Sequence, residues 1–375
     1  MKIQTATATK TANIIIDFFS NIDRIDDYFR LRKIERVKNL PSPIPGFCLE
    51  DDMFQNYDML PEDMDIEVTQ IDNQTFNTML EKVASFSPDQ APGKELKLVV
   101  KERNTNTILG FIKLGSPIIN SKPRNNYLGA VPELTIFNQR AIMGFVIVPV
   151  QPFGFNYLGG KLMALICTSH KVREMLNEKY NTEFCLFETT SLYGNIKGMS
   201  MYDGLKPFLR YRGDTESKFV PTLGEEAYFT CKKLVEDDVK EDLIPKYAAD
   251  GNVTASRKMK ITTKMISLIR MKLRETDIEL HDKFVAAMKK AEGVTTQKRF
   301  YMSDYGYENV KDVLLGKTDT LIKGPNYHKH DLENIISWWK RKATSRYDKL
   351  KSEDRIRKEL EVWNADTMNK IDIIR

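Results

Sequence analysis

The chain has 375 residues, 41% of them hydrophobic and 29% charged, with a formal net charge of +5. That apolar share builds a real core and allows more than one domain, and the lack of an apolar run of about 18 residues predicts no membrane span. The four cysteines, Cys48, Cys167, Cys185 and Cys231, form no C-x-x-C pair, which argues against a metal module and reads as buried thiols in a reducing compartment.

Charge is spread unevenly. Residues 256–375 carry 27 Lys and Arg against 18 Asp and Glu, a balance of +9, while the rest carries 30 against 34, a balance of −4. A basic region of this kind suits an anionic partner, with a solvated helical surface as the plain alternative. The N-terminal stretch MKIQTATATKTANIIIDFF lacks a signal-peptide layout, because its apolar part is short and soon meets acidic residues. The expected location is the cytoplasm.

Residues 13–38 place Ile15, Phe18, Phe19, Ile22, Ile25, Phe29 and Ile34 on a rough stripe and predict a helix. Pro41-Ser42-Pro43-Ile44-Pro45-Gly46 stops it and bounds an N-terminal helical segment at 1–45. An acidic stretch around Asp51, Asp52, Glu62, Asp63 and Asp65 precedes a short helix near 74–85. Leu96, Leu98 and Val100 then alternate with Lys97 and Lys101, Asn104-Thr105-Asn106-Thr107 turns, and 108–114 returns as a second strand.

Residues 141–150 give a third strand. Leu162, Leu165, Ile166, Val172 and Leu176 predict a helix over 160–178, and 183–189 a fourth strand. A strand-helix-strand crossover joined to an antiparallel meander gives an α+β domain with a mixed sheet over 46–225. Residues 226–375 read as a basic helical region. Within it, 256–275 carries Arg257, Lys260 and Lys264 at i, i+3, i+7. A second long helix, 331–362, has Asp331 as N-cap and an apolar stripe of Ile336, Trp339, Ala343, Tyr347 and Leu350, with Lys342, Arg346 and Lys349 on another face.

The turn between the third strand and the helix holds Gly154, Gly159 and Gly160. Glycines there let backbone amides approach an anion at the helix N-terminus. A P-loop is excluded, since Phe155 stands where its first glycine belongs and Leu162 follows Gly160-Lys161. The G-x-G-x-x-G dinucleotide spacing is absent as well. The acetyltransferase-type turn, Gln/Arg-x-x-Gly-x-Gly/Ala, is matched in its first half by Gln151 and Gly154, with Asn156 where a small residue belongs. Gln151, Gly154, Asn156, Gly159, Gly160 and Lys161 are therefore the candidates for holding a pyrophosphate.

Ligands of such sheets sit beyond the strand carboxyl ends, which brings the 189–205 loop to the same place. Ser191, Tyr193 and Tyr202 are its catalytic candidates, a tyrosine serving as general acid toward a departing thiolate. Packing tyrosines with satisfied hydroxyls are the plain alternative. Arg124 and Asn126, in the polar loop 121–127, are candidates for presenting groups to a substrate, or for capping a turn. His328 and His330 lack a third ligand at metal spacing and read as surface histidines, so no metal is predicted. Trp338, next to Lys340-Arg341-Lys342, suits phosphate contact and base stacking, whereas Trp339 lies on the apolar stripe.

The segments "LGFIKLGSP", "LGGKLMALICTSHKVREML", "TTSLYG", "GMSMYDGLK", "YRGDT" and "WWKRKATSRYDKL" together resemble the phage and bacterial family that includes the Druantia anti-phage protein A, over roughly 95–350. More remotely, the order of elements is similar to the Mom-type DNA-modification proteins, which have an acetyltransferase-like fold and modify adenine. The resemblance implies a protein of phage–host conflict acting on DNA in a bacterial cytoplasm. Its expected activity is a Mom-like transfer from acetyl-CoA or a related acyl-CoA at the 151–161 turn. The alternative is a non-catalytic module binding nucleic acid or a host factor. The implied partners are nucleic acid, DNA before RNA, and a host or phage protein.

Overall fold

The computed structural model describes residues 1–38, 40, 44, 46–86, 93–245, 255–295 and 297–373. The chain opens with helices α1 (Thr5–Ser20) and α2 (Ile25–Val37). The single helix expected over 13–38 is broken after Ser20, because Asp27 reaches back to accept from the Asp23 and Arg24 N–H groups at 3.1 and 2.8 Å and starts a new helix. A short α3 (Leu49–Asp52) leads to β1 (Ile66–Gln70). Helix α4 (Asn73–Val83) is capped by Asp72, which accepts from the Thr75 N–H at 2.9 Å.

Strands β2 (Glu95–Glu102) and β3 (Thr107–Gly115) form the predicted hairpin. Helices α5 (Lys122–Leu128) and α6 (Leu134–Arg140) lead to β4 (Ala141–Pro149). The crossover that follows holds α7 (Phe153–Asn156), α8 (Gly159–Cys167) and α9 (His170–Tyr180), and ends in β5 (Leu186–Ser191). The helix expected over 160–178 is two helices. Ser169 divides them by accepting from the Val172 N–H at 3.2 Å.

The remaining elements are α10 (Tyr193–Ile196), β6 (Arg210–Lys218), α11 (Glu225–Val239), α12 (Ala255–Thr276), α13 (Ile278–Gly293), β7 (Gln297–Ser303), α14 (Val310–Leu314) and α15 (Leu332–Ser352). Among the described residues one seven-stranded sheet forms, in the order β1-β2-β3-β4-β5-β7-β6. β4 and β5 run parallel, in register from Ala141 with Leu186 to Gly144 with Thr189. The other neighbours are antiparallel. The chain is thus a mixed α+β fold with one crossover.

Both faces of the central strands are covered, which is why β3 and β4 read as nearly continuous apolar runs. On one face, Leu98, Ile112 and Ile147 pack with Leu162, Met163 and Ile166 of α8, and with Trp339 and Tyr347 of α15. On the other, Val99, Phe111 and Val146 meet Phe76, Met79 and Leu80 of α4.

A separate helical core joins Ile15 and Phe19 of α1, Tyr28 of α2, Cys231 of α11, Met265 and Ile269 of α12, Phe284 of α13 and Trp363. The N-terminal helices and the helices after residue 225 therefore share one core, because two short amphipathic helices cannot bury their stripes against each other alone. From that same later region, β7 completes the sheet and α15 packs on it.

Candidate functional site

The turn after β4 is closed from within. The Gly154 N–H donates to the Val150 carbonyl at 2.8 Å, that of Phe155 to Gln151 Oε1 at 3.1 Å, that of Asn156 to the Pro152 carbonyl at 2.9 Å, and that of Lys161 to the Leu158 carbonyl at 2.9 Å. Its glycines serve close packing. A Cβ on Gly159 would stand 2.6 Å from the Phe153 ring, one on Gly154 2.5 Å from Gln151 Nε2, and one on Gly160 3.1 Å from Met201 Sδ. Lys161 Nζ donates to the Met201 carbonyl at 3.1 Å and to the Asp203 carbonyl, fastening the 200–203 loop to the start of α8. Burial lowers its pKa below the ordinary lysine range.

The same turn is covered from outside by the segment that follows α15. Asn156 Nδ2 donates to the Arg357 carbonyl at 2.7 Å, and Asn156 Oδ1 accepts from the Arg357 N–H at 3.1 Å. The guanidinium groups of Arg357 and Arg346 stand 3.8 and 4.7 Å from the Phe155 ring centre. The Glu361 N–H donates to the Gln151 carbonyl at 3.0 Å. Of the turn, the amides of Leu158, Gly159 and Gly160 are what is left at the start of α8, with Met201 against Gly160. Protein groups thus engage residues 151–156, and the amides at the start of α8 are the part of the turn that an anion could approach.

Of the three catalytic candidates of the neighbouring loop, Ser191 and Tyr202 border the β7 residues Arg299 and Tyr301, whereas Tyr193 turns away. Ser191 Oγ accepts from the Gly194 N–H at 3.0 Å. Tyr193 turns toward the helical core, its ring 6.1 Å from that of Phe29. Tyr202 is 6% exposed and packs 5.2 Å from the Tyr301 ring. Burial pushes its hydroxyl well above the tyrosine range, with a hydrogen bond to Thr189 acting the other way.

A tighter polar cluster lies beside them. Asp203 accepts from Arg299 at 2.6 Å, from the Tyr301 hydroxyl at 2.7 Å and from the Ser200 N–H at 2.9 Å. Burial acts to raise its carboxyl, but those three donors hold it below the usual carboxylate range. Burial pushes Tyr301 up to about 12. Arg299 and Tyr301 come from β7, and their pairing across the sheet with Ser191 and Thr189 was invisible in a segment that reads as helical.

Arg124 and Asn126 part company. Asn126 is exposed on α5, but Arg124 is fully buried. Its Nη1 lies 3.2 and 3.4 Å from the two Glu188 oxygens and 2.9 Å from the Ile118 carbonyl, and its guanidinium lies 4.0 Å from the Phe137 ring centre. Burial pushes Glu188 up to about 7, against the pull of Arg124.

The basic helices differ in what they leave exposed. At 100° per residue, Lys260, Thr263, Lys264, Ser267, Arg270, Met271 and Arg274 of α12 share an arc of about 120°, and all seven are exposed. Arg257 lies half-buried at its edge. Lys264, Arg270 and Arg274 make no side-chain ion pair with a described residue, and the arc holds no carboxylate. Arg270 and Arg274 fall on the arc of Lys260 and Lys264 at 100° per residue, a helical period already present in the sequence. On α15, Lys342 is exposed over the Trp338 ring at 6.0 Å, and Trp338 is half-buried against Phe208. Lys349 is 3.9 Å from Glu353, and Arg346 faces Phe155.

The two histidines separate as well. His328 is exposed, 3.5 Å from Asp331, whereas His330 is fully buried with Nδ1 2.7 Å from the Thr168 carbonyl. Among the described residues no group of three His, Cys, Asp or Glu side chains could hold a metal ion, and no helix is long and apolar enough to cross a membrane.

Residues 31–200 match the family model of the Druantia protein DruA. The matched stretch, less than half of the chain, runs from α2 through the sheet to β5 and the start of the following loop. It supports a Druantia-like relationship there. No curated protein and no solved structure matches the chain.

Proposed function

We propose that this protein is a nucleic-acid-binding component of phage–host conflict that contacts the phosphate backbone through the exposed arc of α12. The mixed sheet serves as the platform that carries the helical core. The observation that supports this reading is the arc itself: Lys260, Lys264, Arg270 and Arg274 interleaved with Thr263 and Ser267, without a carboxylate among them. Cations of this kind neutralise phosphates and release counterions, and hydroxyls donate to phosphate oxygens. The likeness of residues 31–200 to the Druantia protein DruA supports the setting in conflict with phage.

Binding is favoured over acyl transfer because Tyr193 turns into the helical core and Tyr202 is buried against Tyr301, and because residues 151–156 are engaged by protein on both sides. Fluorescence anisotropy with a labelled DNA duplex tests the reading, with RNA as competitor. Lys264→Ala, Arg270→Ala and Arg274→Ala combined are expected to weaken binding at about 0.1 M salt by tenfold or more. Unchanged affinity in that variant would remove the arc from the interface.

A further inference from the structure

The turn that a pyrophosphate was expected to occupy already holds a peptide. The C-terminal arm, residues 353–363, leaves α15 through the exposed Glu353, Asp354 and Arg355, with Asp354 at a φ of 49°. A residue other than glycine in that left-handed region marks a sharp change of direction that the surroundings must hold. The arm then lays three apolar side chains on three different cores. Ile356 packs on the α8 side of the sheet and Leu360 on the α4 side, and Trp363 enters the helical core. The Trp363 N–H donates to the Lys82 carbonyl at 2.7 Å.

What the turn offers this arm is a set of recognition elements. The Asn156 amide reads the backbone of one residue in both directions, giving to the Arg357 carbonyl and accepting from the Arg357 N–H. Such reciprocal main-chain pairing fixes an extended segment whatever its side chains. The Phe155 ring adds selectivity, since it takes the Arg357 guanidinium at 3.8 Å. Four residues on, the Gln151 carbonyl takes the Glu361 N–H. Asn156 is itself fully buried, and among the described residues the hydrogen bonds of its side chain run to the arm alone.

We propose that residues 151–156 form a docking site for an extended, arginine-bearing peptide, filled here by the chain's own arm and able to take the same arm from a second copy. The proposal stands apart from the nucleic-acid reading, because the dock uses none of the exposed cations of α12, although Trp363 of the arm shares the helical core with Met265 and Ile269. The dock selects a main chain by Asn156 and Gln151 and an arginine by Phe155. The exposed hinge at 353–355 joins the occupant to α15 of its own chain.

Replacing Glu353–Arg355 with a protease recognition sequence in the full chain allows the hinge to be cut after folding. A fluorescein-labelled peptide with the sequence of residues 356–373 is then added. The cut chain is expected to keep its thermal transition, to exchange its arm for the labelled peptide saturably, and to release it to excess unlabelled peptide. The uncut chain at equal concentration should take up at least tenfold less. A peptide with Arg357→Ala should bind at least tenfold more weakly, and so should the native peptide to a cut chain carrying Asn156→Ala. The proposal is overturned if the cut chain never exchanges its arm, if the Arg357→Ala peptide binds as well as the native one, or if the chain unfolds when the arm departs.

Discussion

Arg124 and Glu188 face each other inside the protein, with side-chain exposures of 0% and 1% and 3.2 Å between Nη1 and the nearer oxygen. The pair joins α5 to the centre of β5, and the Ile118 and Ile119 carbonyls take further guanidinium N–H groups. A buried pair of this kind is not a source of net stability by itself, but breaking it on one side strands a charge. Arg124→Met is therefore expected to destabilise the chain by about 3–5 kcal/mol at pH 8. The loss should be smaller near pH 5, where Glu188 can take up a proton. Urea unfolding at the two pH values checks this, and equal losses would contradict the pairing.

The raised carboxyl also sets a pH dependence. Glu188 has a folded-state pKa of about 7 against an ordinary 4.5. Between those values the folded chain keeps a proton that the unfolded chain has released, so this group lowers stability as pH rises from about 4.5 to 7. Glu188→Gln should flatten that part of the stability profile. A profile in which the wild-type chain gains stability through that window, with the gain lost in Glu188→Gln, would reverse the assignment.

Neighbouring glycines in the turn should behave differently. A Cβ on Gly159 meets the Phe153 ring at 2.6 Å and the Gly154 Cα at 3.0 Å, whereas one on Gly160 meets only the flexible end of Met201. Gly159→Ala is expected to cost about 1–3 kcal/mol through overpacking. Gly160→Ala should be close to neutral or slightly stabilising, since alanine is favoured over glycine in a helix by up to about 1 kcal/mol. Thermal unfolding of the two variants separates them. A larger loss at Gly160 would show that its face is needed for something other than contact with Met201.

Asp203 should govern the order of the loop before it. It gathers Arg299, Tyr301 and the Ser200 amide, while Lys161 holds the carbonyls of Met201 and Asp203. Asp203→Ala is expected to cost about 1–3 kcal/mol, since it leaves several donors without their acceptor. Hydrogen exchange should speed up across 196–203 and remain slow in β4. An unchanged exchange rate in that loop would show that the cluster does not hold it.

The elements legible in the sequence are those whose side chains repeat a simple period. Leu96, Leu98 and Val100 against Lys97 and Lys101 announce β2, and the apolar run 145–150 announces β4, since burial selects their residues directly. Strand β6, RYRGDTESK, gave no such signal because it is a mostly exposed edge with register shifts beside Gly213. Strand β7, QKRFYMS, hides between helices, and with it went the two residues that grip Asp203. Arg124 reads as a surface group because its partner Glu188 is 64 residues away. Asn156 matches half of a cofactor motif, but its partner Arg357, 201 residues on, lies in the C-terminal arm. Pairings over such distances are set by topology, which no local pattern records. On α12 the helical period read from the sequence picks out Arg257, Lys260 and Lys264, of which Arg257 is half-buried, and the same period carried further along the helix reaches the exposed Arg270 and Arg274.

The most direct measurement is the salt dependence of duplex binding by the full chain and by the variant combining Lys264→Ala, Arg270→Ala and Arg274→Ala. Each phosphate neutralised contributes about −0.9 to the slope of log K against log salt. If the three cations each meet a phosphate, the variant should bind more weakly at every salt concentration and its slope should be shallower by about 2 to 3. An affinity and a slope both unchanged by the three substitutions would contradict the account.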